Sequence, residues 1–278
     1  MDKVISSPLT YWGGKRWLFK TVFDLIPEGE TEIFSPFLGG GGIEINFAYR
    51  GYKVYAYDSY QPLINFWEHW LNNPESVRRN AYELLSLYAR DDLNKLRKKH
   101  KWSNDISSAV FFIICNRLCY NGKLNRSILE YGLDENGDYI RNPKRGTFEG
   151  KNRLFRDFDF WQSKPLSTLN IQCADFESVF WMHQHQFAYI DPPYFERESE
   201  YGGSRENGFN HKKLHELLGS REKWVLSYND HPEAHRLYNR YHIQPIKRGS
   251  DGRTELLILS PDIAERITPQ PEQITLFS

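Results

Sequence analysis

The chain has 278 residues, enough for one large domain or two modest ones, and its 36 Lys and Arg are matched by 36 Asp and Glu. A formal net charge of zero gives no support to a uniformly basic nucleic-acid binder, while leaving room for a local basic patch. Three cysteines without a CxxC exclude a disulfide framework; no apolar run approaches the ~18 residues of a membrane span, and "MDKVISSPLT" lacks a signal-peptide core, so a cytoplasmic protein is expected.

The first element is a helix over "KRWLFKTVFDLI", with Leu18, Val22, Leu25 and Ile26 on one face. A strand "TEIFSP" follows, then four glycines, a second helical pattern, and a strand "YKVYAYD" that ends at Asp58. From about Phe66 to Arg156 the alternation stops. Helical patterns "SVRRNAYELLSLYARDDLNKLRKKH" and "SSAVFFIICNRL" occupy this stretch, and Asn136-Gly137 signals a two-residue hairpin turn beyond them. Cys115 and Cys119 share a face if the second pattern is helical, and read as packing because no His or acid completes a ligand set; no metal is expected.

Strands resume with "LNIQCAD" and "FAYIDPP", separated by "HQH" at His183 to His185, which reads as a loop. "HKKLHELLG" is a helix with Gly219 suited to its C-cap, followed by strands "KWVLSYND", "YHIQPIK" and "ELLILS". The connection "RGSDGRT" is too short for a crossover helix, so the last two strands form an antiparallel hairpin at the sheet edge. The expected architecture is α/β: a mainly parallel, doubly wound seven-stranded sheet, interrupted by a mostly helical subdomain with a projecting β-hairpin. The tail "TPQPEQITLFS" reads as a loosely held end.

Three segments carry chemistry. In "FSPFLGGGGIEINFAYRG" a strand runs into Gly39 to Gly42 and then a helix, and Asp58 ends the next strand. That pattern suits a nucleoside-containing cofactor, with glycines allowing close backbone approach and an acid for ribose hydroxyls; alone, the glycines describe a flexible turn. The pattern is neither G-x-G-x-x-G nor a P-loop. In "LTYWGGKRWL", Lys15 opens a helix where a cation opposes the dipole; either it points into water or it joins the helix amides in holding a carboxylate.

In "YIDPPY", Asp191 and the Pro192 carbonyl could accept both hydrogens of a planar amino group such as adenine N6. This would favour a pyramidal nitrogen whose lone pair is free to attack. Tyr194 could stack on the base, and the prolines would hold the acceptors still. In isolation the segment reads equally as a strand terminated by prolines.

Together, "YWGGK", "FSPFLGGGG", "AYDSYQPLI", "YNGKLNR", "CADFESV", "YIDPPY", "LSYND" and "RTELLI" resemble the Dam-type DNA adenine-N6 methyltransferases over most of the chain. The resemblance implies a class I (Rossmann-like) methyltransferase fold with S-adenosylmethionine as donor. It implies that Tyr11 and Lys15 contact the methionine end of the donor, that Pro36, Phe37, Gly39 and Gly41 belong to the cofactor loop, that Asp58 holds the ribose, and that Asp175 lies near the donor's adenine. Asp191 borders cofactor and target, and Pro192, Pro193 and Tyr194 complete the pocket for an adenine flipped from double-stranded DNA.

Residues 1–65 and 157–278 are then the catalytic domain, and 66–156 the target-recognition subdomain. Its basic end, "RNPKRGTFEGKNRLFR", suits phosphate contacts, with Tyr120, Asn121, Arg126, Arg141 and Lys144 as DNA-binding candidates. The wording there departs from the family's commoner pattern, so the recognised bases stay open. The resemblance leaves open whether the enzyme is solitary, phage-borne or partnered by a cognate restriction endonuclease, and whether it is a monomer or a weak dimer. "YGGSRENGF" reads either as a loop closing over the base or as ordinary surface, and "SYND", Ser227 to Asp230, either as lining of the base pocket or as a structural turn. Rival readings are a methyltransferase acting on cytosine N4, RNA adenine or a protein amide, and a non-catalytic DNA-binding module on a methyltransferase scaffold. Intact Lys15, Asp58, Asp191 and Tyr194 argue against the last.

Overall fold

All seven expected strands form. The computed structural model describes residues 4–10, 14–134, 136–141, 153–155, 157–163, 166–195, 208–248 and 252–267. In chain order the strands are β1 (Glu32–Ser35), β2 (Lys53–Asp58), β3 (Tyr131–Leu133), β4 (Tyr139–Arg141), β5 (Leu169–Cys173), β6 (Phe187–Ile190), β7 (Trp224–Asn229), β8 (His242–Lys247) and β9 (Thr254–Leu259). Seven of them make one sheet in the order β5-β2-β1-β6-β7-β9-β8. Pairings are parallel from β5 to β7, and antiparallel where β9 inserts between β7 and β8. The edge position of β8 also accommodates Pro245, which has no N–H for a further strand.

The central strands are buried on both faces, as crossover helices require. Period-two alternation sends Ile33, Val54, Tyr189, Val225 and Leu257 into one core, and Phe34, Tyr57, Ala188, Ile190, Leu226 and Ile258 into the other. His183 belongs to the second face. Rather than lying in a loop, it ends the short 3-10 helix Phe180–His183, stacks on Tyr55 at 4.3 Å, and its Nε2 hydrogen-bonds the Tyr57 hydroxyl at 2.7 Å.

Among the described residues, the insertion shares its core with the sheet. The helix Gln61–Asn72 runs unbroken through the boundary expected at residue 66, and its Leu63, Ile64, Phe66, Trp67 and Trp70 share one hydrophobic cluster with sheet residues and with the following helices. Those helices are Pro74–Leu87, capped by the Asn73 side chain, then Arg90–Lys99 and Ile106–Leu118. In the last, every residue from Ser108 to Leu118 is buried, Cys115 included, as expected of a helix packed on all sides. A ladder of rings, Phe155–Trp70–Phe66–Phe112, with centroids 5.6–5.7 Å apart, ties the end of the insertion back to its start. Each such ring pair adds about 0.5–1.5 kcal/mol beyond area burial. Among the described residues no helix is long and apolar enough to cross a membrane.

The projecting hairpin is present as β3 and β4, but its turn is longer than the two residues expected from Asn136-Gly137. Asp134 and Asp138 close it: Asp134 N donates to Asp138 O at 2.8 Å, and Gly137, at φ 79°, donates to Asp134 O at 3.0 Å. Asp134 Oδ1 accepts the Asn136 and Asp138 amides and favours this wider form. Tyr82 fastens the hairpin to the helix beneath by donating to Asp138 at 2.7 Å.

A second fastening joins the insertion to the N-terminal segment. The Asn116 side chain accepts from Thr10 N at 2.8 Å and donates to Thr10 O at 2.9 Å, completing a backbone-like pair. Arg117 donates to Thr10 Oγ1 at 2.6 Å. Gly122, at φ 72°, ends the short turn Tyr120–Gly122 against the same residue, and a Cβ there would collide with the Thr10 carbonyl oxygen.

Candidate active site

The carboxyl ends of the parallel strands bring the chemistry together, as the topology of an open α/β sheet dictates. Asp58 ends β2, and Asp191 follows β6; the two strands flank β1.

Asp58 is held by backbone. Its Oδ2 accepts the Gly39 amide at 3.0 Å and its Oδ1 accepts the Tyr60 amide at 2.9 Å. Burial pushes its carboxyl upward against these bonds. A carboxylate has about four acceptor sites, so hydroxyls can still be received. Gly39 and Gly41 take positive φ, 48° and 64°, and a Cβ on Gly41 would press into the Trp67 ring at 2.8 Å. Trp67 in turn donates from Nε1 to Gly39 O at 3.2 Å. The glycine loop is therefore shaped from beneath by a residue of the insertion's first helix.

Pro36 is buried at the end of β1. Phe37 is half-buried, with its ring 5.4 Å from Phe176 and 5.5 Å from Phe209. Asp175 caps the helix Phe176–Val179 by accepting from Glu177 N at 3.0 Å. The backbone amides, the Asp58 acid and this aromatic group form a donor set that fits a nucleoside-bearing cofactor.

Asp191 is held by side chains. Ser227 on β7 donates to its Oδ1 at 2.9 Å, and the Lys15 ammonium lies 3.3 Å from the same oxygen. Tyr189 Oη and Ser227 Oγ are 3.2 Å apart; since the Ser227 proton goes to Asp191, the Tyr189 hydroxyl is the donor between them. The described bonds to Asp191 all fall on Oδ1, which leaves Oδ2 able to accept a further hydrogen bond. Burial raises the Asp191 carboxyl, and Lys15 and then Ser227 counter that rise.

Lys15 precedes a short 3-10 helix, Arg16–Leu18, rather than opening a long α-helix. Its side chain is only 4% exposed and faces two acids, Asp191 and Glu255 of β9, each at 3.3 Å. It also sits 4.6 Å from the centroid of the Tyr194 ring. The Tyr194 hydroxyl donates to Glu255 Oε1. Pro192 is buried and Pro193 half-buried between these groups. Phe195 stacks on His211 at 3.8 Å, and His211 hydrogen-bonds the Tyr228 hydroxyl at 2.6 Å.

A further acid, Glu44, opens the helix Glu44–Tyr49 behind the glycines. It accepts from Ser35 Oγ at 2.7 Å and Ile43 N at 3.3 Å. Burial pushes its carboxyl up to about 7, with Asp191 adding to the rise. The sequence reading assigned no role to Glu44 or Glu255, and it placed Ser227 only within "SYND", as base-pocket lining or structural turn. Their only local signal is an acid or hydroxyl standing in an otherwise apolar element.

On the insertion, Tyr120 is 58% exposed, Arg126 is exposed and Arg141 half-buried. Tyr11, Lys144 and the side chain of Asn121 lie outside the described residues, as do residues 201–207 and the tail from 268.

Comparison with known proteins bears on the chain as a whole. Residues 11–250 match the family model for D12 class N6 adenine-specific DNA methyltransferase. The chain is 27% identical over 271 residues to the type II methyltransferase M1.LlaDCHI of Lactococcus lactis subsp. cremoris, covering 88% of this chain and 89% of that protein. It is also 29% identical over 120 residues to the DNA N-6-adenine-methyltransferase of Escherichia phage P1, covering 40% of this chain and 15% of that longer one. With a seven-stranded methyltransferase sheet, an Asp191-Pro-Pro-Tyr segment at its carboxyl edge and a family match across most of its length, this chain belongs to the D12 class of N6 adenine-specific DNA methyltransferases, enzymes that methylate DNA at adenine.

Proposed function

We propose that the protein transfers a methyl group from S-adenosylmethionine to N6 of an adenine flipped out of double-stranded DNA, at Asp191 and the Pro192 carbonyl. The observation that carries this reading is the asymmetry of Asp191: Ser227 and Lys15 fix Oδ1, and Oδ2 is left as an acceptor. Bound in the cleft, the donor supplies an electrophilic methyl on a cationic sulfur. Asp58, Phe37, Asp175 and the backbone at Gly39 and Gly41 would hold its nucleoside. Tyr11 and Lys15 are the candidates for its methionine end, and the buried acid Glu44 suits the ammonium there.

Asp191 Oδ2 and the Pro192 carbonyl then accept the two amino hydrogens. This draws the nitrogen lone pair out of the ring and stabilises positive charge as it develops. The proton released from N6 passes first to Asp191. An adenine inside a duplex keeps N6 within the stack, so reaching Oδ2 of the half-buried Asp191 calls for flipping. Tyr194 and Pro193 would wall the base. Residues from about 66 to 156 would read the site, with Tyr120, Asn121, Arg126, Arg141 and Lys144 reaching the DNA. A cognate restriction endonuclease fits the type II name of the Lactococcus relative. A cytoplasmic monomer or weak dimer fits a DNA substrate.

Labelled donor, varied-sequence duplexes and competing cytosine or RNA acceptors test the reading directly. Label should enter adenine of duplex DNA alone. Folded protein that labels no adenine-containing duplex would overturn it. Mapping methylated adenines in DNA from an expressing host would give the recognised bases.

A further inference from the structure

Glu255 is far from every residue assigned above in sequence, yet it closes the acceptor cluster. It stands near the start of β9, where the backbone is flanked on both sides: Asn229 of β7 and Ile246 of β8 are its register partners. Its side chain is 13% exposed, and one oxygen, Oε1, both faces the Lys15 ammonium at 3.3 Å and accepts the Tyr194 hydroxyl. Lys15 faces Asp191 at the same distance and lies over the Tyr194 ring. The groups that face Glu255 are thus Lys15 from the N-terminal segment and, from the turn after β6, Tyr194 and Asp191.

We propose that Glu255 is a positioning residue for methyl transfer, setting Lys15 beside Asp191 and orienting Tyr194 from a strand clamped within the sheet. This rests on the methyl-transfer reading and deepens it. Without Glu255, Lys15 would lose an acid that opposes the pull of Asp191 and could draw that carboxylate off the line set by Ser227. The Tyr194 hydroxyl would lose its acceptor.

Glu255 also sets the charge. Two acids sharing one ammonium leave the cluster net negative, so Lys15 keeps Asp191 ionised without cancelling its field. A nitrogen acquiring positive charge opposite a cationic donor needs that field, and burial strengthens it. A carboxylate that merely supported the fold would not need to share its cation with the catalytic acid.

Glu255→Gln keeps the shape and an amide oxygen for Tyr194 but removes the charge. Single-turnover methylation of duplex DNA by this variant should slow about tenfold, while donor and DNA affinities stay within about twofold. The acidic limb of its rate–pH profile should move to lower pH, because Asp191 loses a like-charged neighbour. Tyr194→Phe and Glu255→Gln should combine non-additively, since both act on the same link: Phe removes the donor and Gln the charge on the acceptor.

A wild-type rate and pH profile in Glu255→Gln would overturn the proposal. So would a loss confined to donor affinity. If Glu255→Gln gives no folded protein, Glu255→Asp decides: it keeps the charge but withdraws by one methylene. It should slow the chemical step with binding intact, and a wild-type rate would again overturn the proposal. Wild-type enzyme inactive on every duplex would count against the methyl-transfer reading itself, not against Glu255.

Discussion

Asp58 and Asp191 follow strands on either side of β1, yet they are held in opposite ways. Backbone amides of Gly39 and Tyr60 fix Asp58, so its place is inherited from the loop and the sheet. Ser227 and Lys15 side chains fix Asp191, and Lys15 is itself held by Glu255. A backbone-held acid is insensitive to most substitutions around it. A side-chain-held acid can be tuned, and it can be detuned at several distant positions. The cofactor end of the cleft is therefore structurally conservative, and the acceptor end is where the chemistry is adjusted.

Four substitutions would break or sharpen this contrast. The largest effect is expected from Asp191→Ala, which removes the amino-group acceptor. Turnover should fall by at least about a thousandfold, roughly 4 kcal/mol of transition-state stabilisation. Its circular dichroism and melting should remain those of a folded protein. Near-normal turnover would show that another group accepts the amino hydrogens.

Next comes Glu44→Gln, read as stability against pH. The folded value of Glu44 is raised from 4.5 to about 7, so between these values the folded chain holds a proton that the unfolded chain has released. Stability from this residue falls as pH rises through that window and is level above it. The variant removes the loss and should be more stable at pH 8 by up to about 3 kcal/mol, with little difference near pH 4.5. Urea melts at the two pH values measure it, and equal stability of the two proteins at pH 8 would refute it. The same variant should bind the donor more weakly, as expected where a site retains strain for function.

Asp58→Asn comes third. Its amide nitrogen would face an N–H donor at either Gly39 or Tyr60, so one of the two bonds becomes a repulsion. Donor affinity should weaken by about 2 kcal/mol, roughly thirtyfold, with the chemical step little changed. Calorimetric titration with S-adenosylmethionine reads the first quantity and single-turnover kinetics the second. The smallest effect is expected from Ser227→Ala, which frees Oδ1 of one bond while Lys15 remains. A rate loss of about fivefold to tenfold with donor affinity intact should be measured. If Ser227→Ala weakens donor binding as much as Asp58→Asn does, the two ends of the cleft are not separable.

The parts legible in the sequence were those encoded over short distances. Runs rich in Ile, Val, Tyr and Phe marked all seven sheet strands, several of them ending in Asp or Pro, and the short connection at 248–254 foretold the β8–β9 hairpin. Asp58 and Asp191 were visible because a strand end is itself a local feature. Glu255 was not, since its meaning depends on Lys15, 240 residues away, and on β9 inserting beside β7. Glu44 was hidden by its setting in "GGIEINF", where only the fold shows that the acid turns inward beside Ser35. Composition does not mark where the insertion begins, because the Gln61–Asn72 helix packs on sheet residues and on the following helices alike. The hairpin turn widened because Asp134, outside the Asn-Gly pair, captured two amides.

The pairing of Asn116 with both backbone groups of Thr10 bears on how such enzymes can be recombined. Transplanting residues 66–156 alone from a relative would separate the donor amide from the strand of chain it was shaped to hold. A buried side-chain amide and two backbone groups would be left to find new partners. Gly122 makes the match sterically strict as well, since the turn beside exposed Tyr120 rests on the Thr10 carbonyl. Hybrids that change target preference should therefore carry residues 4–10 together with the insertion, as one inherited unit split across the sequence.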